Sequence, residues 1–223
     1  MYTYLLIDVL TLAFPLAFSR SDRFGFGRNW KYAWWAVFSA ALPFVLWDIL
    51  FTHLGVWSFN PEFIIGKHLW NLPVEEILFF IAIPFACLFI YQQVRDSRRL
   101  QLPSARAGLL WGILTLVLAC VALMNGDRIY TVSVCGLGAF ISLLLALFRP
   151  HYSGPLLTAV AIQYLPFLLV NGILTALPVV IYRADALIGI HIGSIPLEDT
   201  VYSFVMLVVP VSIFEMILRR SRT

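Results

Sequence analysis

Charge is scarce in this chain. Lys, Arg, Asp and Glu make up 12% of its 223 residues, against roughly 25% in an ordinary soluble domain. Cysteine is scarce too: Cys87, Cys120 and Cys135 stand singly in apolar runs with no CxxC pair. That excludes a disulfide or zinc framework and leaves packing as their expected role. The only lysines, Lys31 and Lys67, lie between apolar runs. A photoreceptor holding retinal as a Schiff base needs a lysine in its last span and is excluded. There is no HExxH and no DxxxD box, so prenyl transfer through Mg-diphosphate has no support. Gly25-Phe26-Gly27 is followed by Trp30 with no strand before it, so a dinucleotide-binding βαβ unit is absent from the pattern.

What is abundant is apolar surface. Hydrophobic residues make up 61% of the chain and the mean hydropathy is +0.89. A water-soluble globule of this size cannot hide that much, and a disordered chain would not have it. The solvent is a bilayer, and a nucleic-acid partner does not fit. Seven hydrophobic segments fall at approximately 2–18, 33–53, 74–94, 107–125, 129–148, 154–178 and 197–218. The runs are continuous rather than alternating, so they predict helices and not a transmembrane barrel. With the N-terminus outside, the inner connections hold Arg20, Arg23, Arg28, Lys31, Arg95, Arg98, Arg99, Arg106, Arg149, Arg219, Arg220 and Arg222. The outer connections hold Lys67, Arg128 and Arg183. The positive-inside rule then predicts a multi-pass protein of the cell membrane, N-terminus outside and C-terminus cytoplasmic. The first segment has no basic residue before it and several after it, the reverse of a cleaved signal peptide.

The sequence also repeats itself at an offset of 123. Leu42-Pro43-Phe44-Val45-Leu46 meets Leu165-Pro166-Phe167-Leu168-Leu169, and Thr52, Gly66 and His68 meet Thr175, Gly189 and His191. Pro73-Val74-Glu75-Glu76 meets Pro196-Leu197-Glu198-Asp199, and Asp48 meets Asn171. A Gly, a His, a Pro and two acids in one register point to duplication of a three-helix unit. The expected organisation is a first repeat over 1–95, a basic loop and linker span over 96–127, and a second repeat over 128–223. The fold class is therefore all-α, a polytopic membrane protein of seven transmembrane helices: two parallel three-helix repeats joined by a linker helix.

Each PxE[ED] motif opens a helix. Asn71 or Ser194 suits the cap, and Pro73 or Pro196 the first turn. Acids there face the positive end of the helix dipole, which alone would explain them. But they run straight into membrane sequence with no Lys or Arg within a turn, and such carboxylates are functional by default. Adjacent acids in a low dielectric cannot both ionise, so one is a proton donor beside a base. A double bond in a membrane-dissolved molecule is one target, and aromatic faces would stabilise the resulting cation. Asp48, within span 2, fits a pocket or supporting role, and the matched His68 and His191 a ligand or proton-relay role. Pro43, Pro84, Pro166 and Pro210 fall inside spans and are expected to kink them. Glu62 and Asp185 fit solvated loops, and Glu215 fits a surface pair with Arg219.

Two PxE[ED] motifs opening the last helix of two three-helix units, with Trp47-Asp48 in the second span, resemble the small integral-membrane lycopene cyclases in their single-chain, fused form. The resemblance implies acid-initiated closure of the linear ψ ends of lycopene to β-ionone rings without net redox change. It implies Glu75, Glu76, Glu198 and Asp199 as catalytic, with Asp48, Asn171, His68, His191, Pro73 and Pro196 around them. It further implies a carotenoid substrate within the bilayer lipid, other carotenoid-forming enzymes as neighbours, and no cofactor and no metal. Asp199 opposite Glu76 and Asn171 opposite Asp48 depart from strict repetition, so the halves need not be equally competent. Two alternatives stay open: a transporter with a carboxylate-lined site, and an intramembrane metalloenzyme acting on a prenyl lipid through Glu and His of both repeats.

Overall fold

The computed structural model describes residues 2–21 and 25–221. Arg23 and Arg222, and the side chain of Arg98, lie outside the described residues. Seven α-helices run in chain order: α1 Thr3–Ser19, α2 Trp30–His53, α3 Val74–Asp96, α4 Ser104–Met124, α5 Ile129–Phe148, α6 Ser153–Ala176 and α7 Leu197–Arg220. Six are long and apolar enough to cross a membrane. The seventh, α1, has 17 residues, at the short end of the ~17–25 that span the hydrocarbon core. The protein is an all-α polytopic membrane protein. Two helices, α2 and α4, begin about a turn before their hydropathy runs do, taking Lys31 and Arg106 into their first turns. Pro43, Pro84, Pro166 and Pro210 all sit inside helices that continue through them.

Three short β pairs lie at one end of the bundle. β1 (Trp57–Phe59) pairs antiparallel with β4 (Val180–Tyr182), joining Trp57 to Tyr182, Ser58 to Ile181 and Phe59 to Val180. Ser58 and Ile181 are themselves repeat equivalents, so the ladder is symmetric about its central pair. It joins the segments that follow α2 and α6, and so brings the ends of those helices, and the starts of α3 and α7, to one end of the molecule. β2 (His68–Leu69) and β3 (Leu72–Pro73) form a hairpin leading into α3. β5 (His191–Ile192) and β6 (Ile195–Pro196) form its counterpart before α7. Tyr4 at the start of α1 donates its backbone N–H to Phe63 at this same end.

The helices interleave between repeats. α2 packs on α7 as well as on α3, α6 packs on α3 as well as on α7, and α3 meets α7 in the centre. α1 rests on α3 as α5 rests on α7, while α4 covers α5 and α6. α3 and α7 are therefore the most buried spans, and both carry the acid motifs.

Two expectations about polar residues are corrected. Glu215 makes no surface pair with Arg219. It is buried, accepting hydrogen bonds from Tyr91 (2.7 Å), Arg95 (2.9 Å) and His151 (3.2 Å), because α7 turns that face onto α3. Asn71 and Ser194 do not cap α3 and α7. The N-caps are Pro73 and Pro196, while Asn71 donates to the Ile49 carbonyl (2.9 Å) and Ser194 to the Gly172 carbonyl (3.3 Å). Each ties its hairpin to the end of the preceding helix. Cys87 and Cys135 are buried as expected, but Cys120 is exposed on the outer face of α4.

Candidate active site

The four motif acids are all buried: Glu75 is 0% exposed, Glu76 7%, Glu198 2% and Asp199 5%. None of them takes part in an ion pair among the described residues. They do not converge on one point. Adjacent residues on a helix point about 100° apart, and the pairs are split accordingly.

The first acid of each pair holds a loop. Glu75 accepts the backbone N–H of Ile65 at 2.6 Å, and Glu198 accepts that of the equivalent Ile188 at 2.7 Å. Glu198 also accepts the Thr131 hydroxyl at 2.5 Å. Asp8 stands at the position of α1 that corresponds to Thr131 of α5. It is 1% exposed and neither of its oxygens has a hydrogen-bond partner.

The second acids, Glu76 and Asp199, face a shared cavity. Asp199 accepts three hydrogen bonds, each of 2.8 Å, from Tyr130, Asn171 and Tyr182. Glu76 accepts one, from Tyr4 at 2.5 Å. Asp48 lines the same cavity, interacts electrostatically with Glu76 and accepts a hydrogen bond from Trp57, and its Oδ2 is unpartnered. Asp48 and Asn171, equivalent in the repeat, thus both line the cavity, and Asn171 bonds to the acid beside it.

Aromatic rings roof the acids. Tyr130 and Tyr182 stack at 6.1 Å with planes 11° apart, and Trp57 meets Tyr130 edge-on at 5.2 Å. Tyr202 also lines the chamber. Tyr182 lies in β4, outside the spans. Burial, with the Asp199 carboxylate beside it, pushes its phenol well above the ordinary tyrosine value, so it stays a hydrogen-bond donor. Below the acids the cavity is apolar, apart from Thr11 and from Gln163 and Ser203, which bond to each other at 2.9 Å.

Of the residues singled out in the sequence, the structure brings Glu76, Asp199, Asp48 and Asn171 together. It leaves Glu75 and Glu198 facing the loops. His68 and His191 are exposed in the hairpins, where each bonds through Nδ1 to the carbonyl of the glycine two residues earlier, at 3.2 and 3.1 Å. They do not reach the acids, because the hairpin directs them away from the bundle. Pro73 and Pro196 set the helix starts and do not line this cavity. Among the described residues no cluster of three or more His, Cys, Asp or Glu side chains suits a metal ion. Sequence reasoning missed Tyr4, Tyr130, Tyr182 and Trp57. Their only signal was general aromatic richness, since Tyr130 and Tyr182 fall opposite Ile7 and Phe59 in the repeat.

The sequence model of the family described as Lycopene cyclase matches residues 1–94 and 127–217, on either side of α4. The bifunctional lycopene cyclase/phytoene synthase of Neurospora crassa is 39% identical over 54 residues, which cover 24% of this chain and 8% of that protein. The chain thus matches under a tenth of that relative's length. No solved structure gives a significant match. The family match covers most of the chain, including both acid motifs and the helices that carry them, and the chain belongs to the lycopene cyclase family.

Proposed function

We propose that the protein is a lycopene β-cyclase in which Glu76 and Asp199 do different jobs in one chamber. The observation that carries this reading is their unequal hydrogen bonding. An ionised carboxylate only accepts, and a protonated one must donate. Asp199 faces three donors, which suits the anion. Glu76 faces one donor and the second carboxylate of Asp48. Two carboxylates close together in a low dielectric hold a proton between them. The Asp48–Glu76 pair is then the acid, and Asp199, oriented by Asn171, Tyr130 and Tyr182, is the base.

Glu76 delivers its proton to C2 of the terminal C1=C2 double bond, leaving the cation at C1. The C5=C6 double bond attacks C1, closing the ring and moving the cation to C5. Asp199 removes the proton from C6, and the C5=C6 double bond re-forms. One proton enters and one leaves, so the reaction is an isomerisation with no change of oxidation state. The tyrosine and tryptophan faces around the chamber stabilise the passing cation, an effect worth about 2 kcal/mol or more when desolvated. The departure of the second repeat from the first, Asn171 for Asp48, is on this reading a division of labour.

The segregation of basic residues supports the orientation. Lys67, Arg128 and Arg183 are at the hairpin end, and Arg20, Arg28, Lys31, Arg95, Arg99, Arg106, Arg149, Arg219 and Arg220 are at the other, in connections or in the terminal turns of helices. The hairpin end, and with it the chamber, faces outward. The substrate is a linear carotenoid dissolved in the bilayer, in the company of the enzymes that make it. Expression in lycopene-accumulating cells tests the reading: extracts should contain γ- and β-carotene. Unchanged lycopene beside abundant membrane-inserted protein would refute it.

A further inference from the structure

The chamber does not end at the acids. It continues down α3 past Ile83, Ala86 and Cys87 to Ile90, roughly 21 Å from Glu76 at 1.5 Å per residue. Its opposite wall is α6, at Phe167, Val170 and Leu174. Pro166 is exposed, and Thr11 and Phe167 are half-buried, so the slot opens sideways between α1 and α6. The shape is long, narrow and apolar, closed at one end by carboxylates.

Pseudo-twofold packing generates a second slot of the same kind, between α7 and α2. It is filled. Where α6 carries Val170 and Leu174, α2 carries Trp47 and Phe51, and where β4 begins with Val180, β1 begins with Trp57. Opposite Ser203 stands Phe80. These large rings pack on one another: Trp47 on Phe51 at 5.2 Å, Phe51 on Trp57 at 5.1 Å, and Phe44 parallel to Phe80 at 6.1 Å. Tyr202 closes the contact, 6.1 Å from Trp47 and 5.7 Å from Phe44. Phe44, Trp47 and Phe51 do not reach the open cavity. At four equivalent positions, then, the first repeat supplies an aromatic ring and the second a smaller side chain.

We infer that the chain has one polyene groove, between α3 and α6, and that Trp47 and Phe51 plug its repeat-related counterpart. This rests on the carotenoid reading above. A linear carotenoid lies lengthwise in the open groove with one end at Glu76 and Asp199. Duplication has therefore produced a single reaction chamber fed from one side. A substrate with two reactive ends is processed one end at a time, leaving and returning reversed between rings.

Saturation of the purified protein in lipid nanodiscs with lycopene, followed by absorbance of the bound fraction, tests this. Wild type should hold one lycopene per chain. Ala86→Phe, which narrows the groove, should weaken binding at least tenfold. Trp47→Val with Phe51→Leu, which copies the α6 residues into α2, should raise saturation toward two per chain. A pulse of labelled lycopene chased with excess unlabelled monocyclic carotenoid should leave the label in monocyclic product, a measurement that needs no variant. Two lycopenes per wild-type chain, full binding by Ala86→Phe, or labelled dicyclic product surviving the chase would each overturn the single groove, as would no binding at all. One lycopene bound without conversion would uphold the groove and refute the reaction proposed above.

Discussion

Glu75 and Glu76 are neighbours in sequence and strangers in space. The motif was legible in the sequence as four acids at membrane depth, but not the sorting of those acids, although the reason is elementary: successive helical side chains diverge by about 100°. Here the divergence turns Glu76 and Asp199 to the chamber and Glu75 and Glu198 to the loops. The consequence is a sharp asymmetry between substitutions. Glu76→Gln and Asp199→Asn should each lower ring formation by roughly 10²–10⁴-fold, the usual contribution of a general acid or base. Glu75→Gln and Glu198→Gln keep an acceptor for the Ile65 and Ile188 amides. They should lower stability by less than the ~1–3 kcal/mol of an unsatisfied buried donor, and lower activity less than tenfold. Carotenoid analysis and melting in detergent, run on all four variants, separate the two classes. Equal losses at all four positions would contradict the sorting.

Helices were read from continuous apolar runs, and all seven are present. The hairpins were not foreseen, because two-residue strands have no periodicity to detect. Yet they do much to position the site. Gly66 and Gly189, already conspicuous as repeat partners, have φ of +82° and +85°, a region that side-chain-bearing residues seldom enter. Each turns the loop so that the preceding residue's amide meets Glu75 or Glu198. A Cβ at Gly189 would meet nothing within 4 Å, so the penalty of Gly189→Ala is conformational, about 1–2 kcal/mol. A fall of a few degrees in melting temperature with the protein still membrane-inserted is expected, and an unchanged melting curve would show that the turn relaxes freely. Gly154 differs: a Cβ there would lie 2.0 Å from the Leu102 carbonyl oxygen. Gly154→Ala must therefore move the start of α6 away from the linker, and folded yield should drop.

Duplication was legible from the offset of 123, but the way the copies lock together was not. An internal alignment says which residues correspond; it does not say that α2 will pack on α7 and α6 on α3. That interleaving places Glu76 of one repeat and Asp199 of the other at one cavity. Odd helix number and the arginine distribution give a test at this scale: a reporter fused behind α7 should be active only in the cytoplasm, and activity on the other side would invert the orientation. The central claim is that Glu76 gives a proton to carbon and Asp199 takes another away in the same chamber. The purified protein should convert lycopene in liposomes prepared in heavy water, without NAD(P)H, flavin or an ion gradient. Each ring formed should carry one non-exchangeable deuterium at C2, and Glu76→Gln should abolish the incorporation. Rings that form without deuterium, or only with a reduced cofactor, would contradict the account.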